Sequence, residues 1–281
     1  MKALSSIMLL VFLLNSSCNQ VDYVLIESFQ DNNVPELELN ISDTTKVLLV
    51  FCHADDEIGV AGLVAFLKEK GAEIHLLTLG HHPLQKDIET RMKELHCAVN
   101  KLGIKELEVS GLVTSTWEET LQNKVIWYDM KDSIKNIIDR KIDNYKPDIL
   151  VTWDNEIGGY GHPEHRISAQ LTEDLFNENK YNPNYSVNRI LQFTLPDKLE
   201  KFLVSENPGY KLAKELNGND GLPDPDYSLD ITNYWEIKNN AAQCYQSVMY
   251  TLKHFFLTYD KNNRESHIKA FSKEYYTVIT R

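Results

Sequence analysis

Residues 46–57 read Lys-Val-Leu-Leu-Val-Phe-Cys-His-Ala-Asp-Asp-Glu. The part from Lys46 to Cys52 is a continuous apolar run of strand length, bounded by polar residues. A strand with one wet face alternates apolar and polar residues, whereas an unbroken run suits a strand covered on both faces, as in a parallel sheet. His53, Asp55, Asp56 and Glu57 follow at once, so they sit where such a strand ends. In open α/β sheets that end is where ligands bind.

Outward from this stretch, helices and strands alternate. Glu57 to Lys70 reads as a helix, with Val60, Leu63, Val64 and Leu67 on one face and Gly71 stopping it. Glu73–Leu79 reads as a second strand, and Asp87–Leu102, closed by Gly103, as a second helix. A short strand at Glu106–Val109 precedes a helical pattern from Trp127 to Tyr145, which Pro147 ends. Asp148–Thr152 repeats the buried-strand pattern, and His165–Asn177 is again helical. Residues 181–235 are less regular, with a strand expected around Arg189–Thr194, and Asn239–Thr258 reads as a final helix. This order predicts a Rossmann-like α/β fold: an open, mostly parallel sheet with helices on both faces, plus a less regular C-terminal portion.

The amino terminus carries a different pattern. Lys2, the apolar run Ile7–Leu14, then Ser16, Ser17 and Cys18 have the order of a secretory signal, and the run is too short to span a membrane. Cys18 after small residues is similar to a bacterial lipobox, although Leu14 lies one position further away than usual. The expected organisation is a lipoprotein-type signal over 1–18 with Cys18 lipidated, a tether over 19–44, and one domain over 45–281. The protein is then exported and membrane-anchored, periplasmic or at the cell surface. Cys52, Cys97 and Cys244 remain, an odd number that argues against a disulfide framework, and Cys52 reads as a buried structural thiol. A formal net charge of −12 argues against a nucleic-acid partner.

A second polar segment, Gly158-Gly159-Tyr160-Gly161-His162-Pro163-Glu164-His165, lies soon after the strand Asp148–Thr152. If the two strands are neighbours, both segments meet at one sheet edge. Histidine and carboxylate side chains suit zinc, and a catalytic zinc keeps three protein ligands beside an open position. His53, Asp56 and His165 supply such a set, and Asp55 stays free as a general base. His162 faces the same place from the loop. Glu57 opens the helix and orients a ligand from behind. Taken singly, each piece has a plain explanation, such as helix-start charge or a solvated histidine. The weight lies in two complementary clusters at two strand ends.

Here His53-Ala54-Asp55-Asp56-Glu57 resembles the A-H-P-D-D-E signature of the LmbE/PIG-L family of N-acetylglucosaminyl deacetylases. Gly161-His162-Pro163-Glu164-His165 resembles that family's second motif, G-H-x-D-H. The resemblance covers roughly residues 46–170. Cys52, Ala54 and Glu164 stand where the family usually has Ala, Pro and Asp. The resemblance implies that His53, Asp56 and His165 bind zinc, that Asp55 is the general base activating a zinc-bound water, and that a protonated His162 stabilises the oxyanion. Iron(II) or cobalt tolerates the same ligands. Arg91 matches a basic residue common in the family and is a candidate sugar contact, its plain alternative being a surface pair with Glu94 or Asp87. Trp153 and Tyr160, and with the weakest claim Trp117, are candidates for stacking on a sugar ring. Gly80-His81-His82-Pro83 is a further loop at a strand end. The implied reaction is removal of the N-acetyl group from an N-acetylglucosamine-containing glycan or glycoconjugate. The alternatives are a zinc amidohydrolase acting on a non-sugar amide and a catalytically inactive glycan-binding lipoprotein.

Overall fold

A computed structural model describes residues 26–81, 85–248 and 268–281. Strand β1 (Lys46–Phe51) is buried along almost its whole length, as its composition requires. Its side chains alternate between two cores. Val47, Leu49 and Phe51 pack on one face, while Leu48 and Val50 pack on the other. Helices α1 (Ala61–Glu69) and α2 (Gln85–Leu102) cover the first face through Leu63, Val64, Leu67, Leu95 and Ala98. The second face is covered by α4 (Lys131–Tyr145) and α5 (Pro163–Asn179), through Ile134, Ile138, Leu171 and Phe176. A short helix α3 (Trp117–Leu121) lies between the two α/β halves, with a capping box at Thr116 and Glu119.

The remaining strands are β2 (Glu73–His81), β3 (Glu106–Val113), β4 (Ile149–Trp153), β5 (Arg189–Thr194), β6 (Tyr227–Asp230) and β7 (Lys273–Thr280). The sheet order is β3-β2-β1-β4-β5-β7-β6. Strands β1 to β5 run parallel, and β7 pairs antiparallel with both β5 and β6. The expected mostly parallel α/β sheet is therefore present. Strand order reverses between β1 and β4, which are direct neighbours in the register Val47↔Ile149 to Leu49↔Val151. Three further helices, α6 (Asp197–Leu203), α7 (Pro208–Asn217) and α8 (Trp235–Ala242), belong to the less regular portion.

Several expectations need correction. The helix expected over Glu57–Lys70 is a 3-10 turn at Asp56–Ile58 followed by α1. Its start is set by a distant carboxylate: Gly62 N–H and Leu63 N–H donate to Glu274, at 2.9 and 2.8 Å. The helix expected from Trp127 breaks into a 3-10 turn at Ile126–Asp129 before α4. The expected final helix from Asn239 ends with α8 at Ala242, and residues 249–258 lie outside those described. Part of the expected tether is packed on the domain. Ile26 and Leu37 are buried, and Leu37 N–H donates to Ser228 O while Ser228 N–H donates to Pro35 O, at 2.8 and 2.7 Å. The signal segment and Cys18 lie outside the described residues.

The expectation of no disulfide is overturned as well. Cys97 on α2 is bonded to Cys244, two residues beyond α8, across a sequence separation of 147. Cys52 alone stays free among the described cysteines, and it is buried. A covalent link over so long a loop removes much freedom from the unfolded chain. The double variant Cys97→Ser/Cys244→Ser should lose about 2–4 kcal/mol of unfolding free energy in a urea titration. Wild-type protein treated with a thiol reductant should match it, and an unchanged midpoint in both would refute the clamp.

Candidate active site

The turn after β1 is held by its own carboxylates. Cys52 N–H and His53 N–H both donate to Asp56 Oδ2, at 3.0 and 2.9 Å. Glu57 accepts from Asp55 N–H at 3.1 Å and, through its other oxygen, from the Tyr245 hydroxyl. Between them Asp55 takes φ 109°, a left-handed conformation that is strained for a residue with a Cβ. The turn after β4 is organised by Asp154. This buried carboxylate accepts the N–H groups of Glu156, Ile157, Gly158 and Gly159 at 3.1, 2.6, 3.0 and 2.6 Å. Gly158 has φ 74°, and a Cβ there would sit 2.7 Å from the His162 carbonyl, so the turn demands glycine. His162 then caps α5, its Nδ1 accepting Glu164 N–H at 3.3 Å, with Pro163 in the first turn.

These turns bring the expected ligands together. His53 Nδ1 lies 3.0 Å from His165 Nε2, which lies 3.2 Å from Asp56 Oδ1; the other Asp56 oxygen is 3.8 Å from His53 Nδ1. The outer ring nitrogens are already committed. His165 Nδ1 donates to Gly158 O at 3.1 Å, and a carbonyl can only accept. His53 Nε2 is 2.8 Å from Glu164 Oε2 and donates to it. In the neutral imidazoles the inner nitrogens are therefore bare lone pairs, facing each other across 3.0 Å beside a carboxylate oxygen. That arrangement calls for a cation, and two nitrogens with one oxygen suit a divalent transition metal. His162 also has a ring nitrogen within 4.8 Å of nitrogens on His53 and His165. Its Nδ1 is occupied by the helix cap, which leaves Nε2–H as a donor and favours Asp56 as the third ligand.

Comparison with known proteins agrees with this geometry. Residues 48–176 match the PIG-L family model, described as GlcNAc-PI de-N-acetylase. This segment is thus similar to PIG-L (LmbE) family domains. Among curated proteins, the 1D-myo-inositol 2-acetamido-2-deoxy-alpha-D-glucopyranoside deacetylase 3 of Catenulispora acidiphila is 25% identical over 159 residues, covering 47% of this chain and 44% of that protein. The chain spans about half the length of the first curated relatives it matches, 44% and 54%. Among solved structures, a deacetylase of teicoplanin biosynthesis has a TM-score of 0.57 at 14% identity, covering 84% of this chain and 99% of that one. The 4-carboxy-2-hydroxymuconate hydratase GalB of Pseudomonas putida has a TM-score of 0.51 at 16% identity, covering 85% and 97%. These two likenesses show the fold alone.

Around the PIG-L motifs, other expected residues take different places. Arg91 makes the expected pair with Glu94, but from a largely buried position. Its side chain is 13% exposed and pairs with Asp55 at 2.9 Å, with Glu94 at 3.2 Å, and with the Ala54 carbonyl. Its guanidinium lies 5.1 Å from the centre of the Tyr245 ring. Trp153 is buried and stacks flat on His165, with centroids 4.7 Å apart and 2° between planes, so it backs a ligand. Tyr160 meets the His165 ring edge-on at 5.3 Å, and Trp117 lies 6.0 Å from His162. His81 ends β2, and its carbonyl accepts from Thr114, while His82 and Pro83 lie outside the described residues.

The sequence reading missed Glu164, Asp154 and Tyr245. Glu164 is fully buried and links His53 to Ser115 N–H, at 2.8 and 2.7 Å. Its place beside His165 in the second motif was the available signal. Tyr245 next to Cys244 offered none, because its partner Glu57 is 188 positions away.

Burial sets the charges here. It keeps His162 well below the ordinary histidine pKa, with the neighbouring His53 and His165 pushing in the same direction. Burial pushes Asp56 upward, but His165 and His53 outweigh it and hold the carboxyl well below the usual range. Burial raises Asp55, and Arg91 opposes the rise. Burial pushes Glu57 up to about 8, against the bond from Tyr245. The folded protein thus holds the Glu57 proton more tightly than the unfolded chain. Its contribution is complete below the ordinary value of 4.5 and is lost as pH rises through about 8. Chelator-treated protein should therefore lose unfolding free energy between about pH 4.5 and about pH 8, and Glu57→Gln should flatten that slope. Equal slopes in urea titrations of the two proteins would show that Glu57 does not carry the effect.

Proposed function

We propose that this protein is a zinc-dependent hydrolase that removes the N-acetyl group from an N-acetylglucosamine-type sugar conjugate. The observation that carries this reading is the convergence of His53 Nδ1, His165 Nε2 and Asp56 Oδ1, with Asp55 next to them and outside the ligand set. The family model and the named activity of the Catenulispora relative support the sugar amide as substrate.

A bound divalent cation supplies Lewis acidity for the amide carbonyl and lowers the pKa of water. The chain's own residues do the rest. Asp55 accepts a proton from the attacking water and returns it to the leaving amine, a transfer that suits a carboxyl raised by burial. Arg91 fixes the direction of that carboxylate through its 2.9 Å pair. His162 donates Nε2–H to the developing oxyanion, and its helix-cap bond at Nδ1 fixes it as that donor without any positive charge. Glu164 holds the His53 ring so that Nδ1 points inward.

The proposal extends to location. Export by the signal segment, with a lipid on Cys18, accords with a Cys97–Cys244 disulfide, because such bonds persist in oxidising compartments. Among the described residues no helix is long and apolar enough to cross a membrane.

Acetate release from N-acetylglucosamine conjugates should stop on chelation and return with zinc. Asp55→Asn should lower kcat by about 10²–10⁴-fold with metal content unchanged, and Glu164→Gln should weaken zinc affinity by about 10–100-fold. An Asp55→Asn protein that turns over at the wild-type rate would remove Asp55 from the mechanism.

A further inference from the structure

A polar cavity of about 310 Å³ lies between the second half of α4 and the end of α5, where the chain turns toward β5. Glu178 in its wall lies on the same helix as His165 but about 20 Å further along the axis, so the cavity is separate from the His53–His165 site. Small-ligand sites begin at about 300 Å³ and are mostly apolar. The walls here are instead Asn136, Asp139, Asp143, Glu178, Asn184 and Tyr185, which face hydroxyls and charge better than hydrocarbon.

The loop from α5 to β5 is fixed in place. The Arg281 guanidinium donates to the carbonyls of Lys180, Asn182 and Tyr185, at 2.9, 3.1 and 2.9 Å. Asn182 Oδ1 accepts Asn184 N–H at 3.0 Å, and Asn179 Nδ2 donates to Leu175 O at 2.9 Å. Asn136 and Asn184 are exposed, which leaves their amides for a ligand.

Two features of this wall ask for an occupant. Tyr185 is only 8% exposed, and its ring packs in the core beside Phe176. Its hydroxyl is buried and has no hydrogen-bond partner among the described residues. Such groups are rare, because burying a donor unpaired costs its hydration. Asp139 and Asp143, both in the cavity wall, are the carboxylates that act on this hydroxyl, which puts it on the cavity side. Burial, and then these charges, raise its pKa, so it keeps its proton and can donate. The second feature is charge. Lys135 pairs with Glu178 at 2.5 Å and Lys146 with Asp143 at 3.0 Å. Asp139 is partly buried and has no such partner among the described residues. Burial, and next the charge of Asp143, push its carboxyl upward. The three carboxylates do not form a metal cage: among the described residues only His53, His162 and His165 bring three such ligand atoms within 4.8 Å. The walls fit a broader cation that carries its own hydroxyls.

We propose that this cavity binds a protonated amino sugar, with its ammonium on Asp139 and its ring hydroxyls on Tyr185 and the amides of Asn136 and Asn184. The binding stands by itself, and only its link to the reaction, whose product is such a sugar, rests on the deacetylase reading. On that reading, a partly deacetylated glycan held here keeps its remaining acetylated units concentrated near Asp55.

The test follows the backbone amide NMR shifts of Asn182 and Asn184 in zinc-loaded protein at about pH 6, where a sugar amine is charged. The probes are methyl glucosaminide, methyl N-acetylglucosaminide, methyl glucoside, n-butylamine and calcium chloride. Methyl glucosaminide should move both amides, with an affinity about tenfold or more above the other two sugars and the plain amine. Asp139→Asn should erase its advantage over methyl glucoside, and Tyr185→Phe should weaken it about fivefold. Both variants should keep the wild-type thermal midpoint and rate of acetate release from a monomeric conjugate. Asp139→Asn changes a helix surface, so it carries the test should Tyr185→Phe unfold. Glucosaminide shifts at Asn182 and Asn184 without acetate release from any conjugate would support this site and count against the deacetylase reading. Shifts confined to residues around His53, an equal response to n-butylamine, or a response to calcium alone would overturn the proposal.

Discussion

The parallel pairing of β1 with β4 is the constraint on which the site depends. It sets Val47 beside Ile149 and Leu49 beside Val151, so both strands end at the same level. Two polar segments separated by about a hundred residues therefore leave the sheet side by side. A slip of one residue would exchange the faces of β1 and drive Leu48 and Val50 into the wrong core. The register of the hydrophobic core and the spacing of His53, Asp56 and His165 are thus one and the same requirement.

Carboxylates then do most of the shaping. Asp56 ties back the first turn, Asp154 gathers the second, and Glu164 joins the two through His53. Each is buried, and each satisfies backbone or ring N–H groups that would otherwise be unpaired in the interior. Asp55 differs: its side chain is 30% exposed and paired with Arg91, and its strained backbone is held at its own N–H by Glu57. A group kept apart from the ligand set but fixed in direction is what proton transfer needs.

The disulfide extends this support to distant sequence. It pins the segment carrying Tyr245 and Ser247 to α2, which carries Arg91 and Glu94. Ser247 donates to Glu94 at 2.6 Å, Glu94 holds Arg91, and Arg91 holds Asp55. The C-terminal portion thereby buttresses the base without supplying a ligand.

The sequence by itself determined the α/β class, the buried strands, and the strand-end positions of His53, Asp55, Asp56, His162 and His165. Continuous apolar runs and adjacent polar clusters are local features, and local features survive in one dimension. Arg91 and Trp153 were visible as residues of interest, but their roles were not, because a guanidinium or an indole reads alike whether it meets solvent, a sugar or a catalytic neighbour. The tertiary structure alone decided the break after Asp56, the Cys97–Cys244 bond, the capping of α1 by Glu274, the strand β7 and the burial of His162. Each of these depends on partners far apart in the chain or on burial, and both arise only when the sheet closes and brings its two cores together.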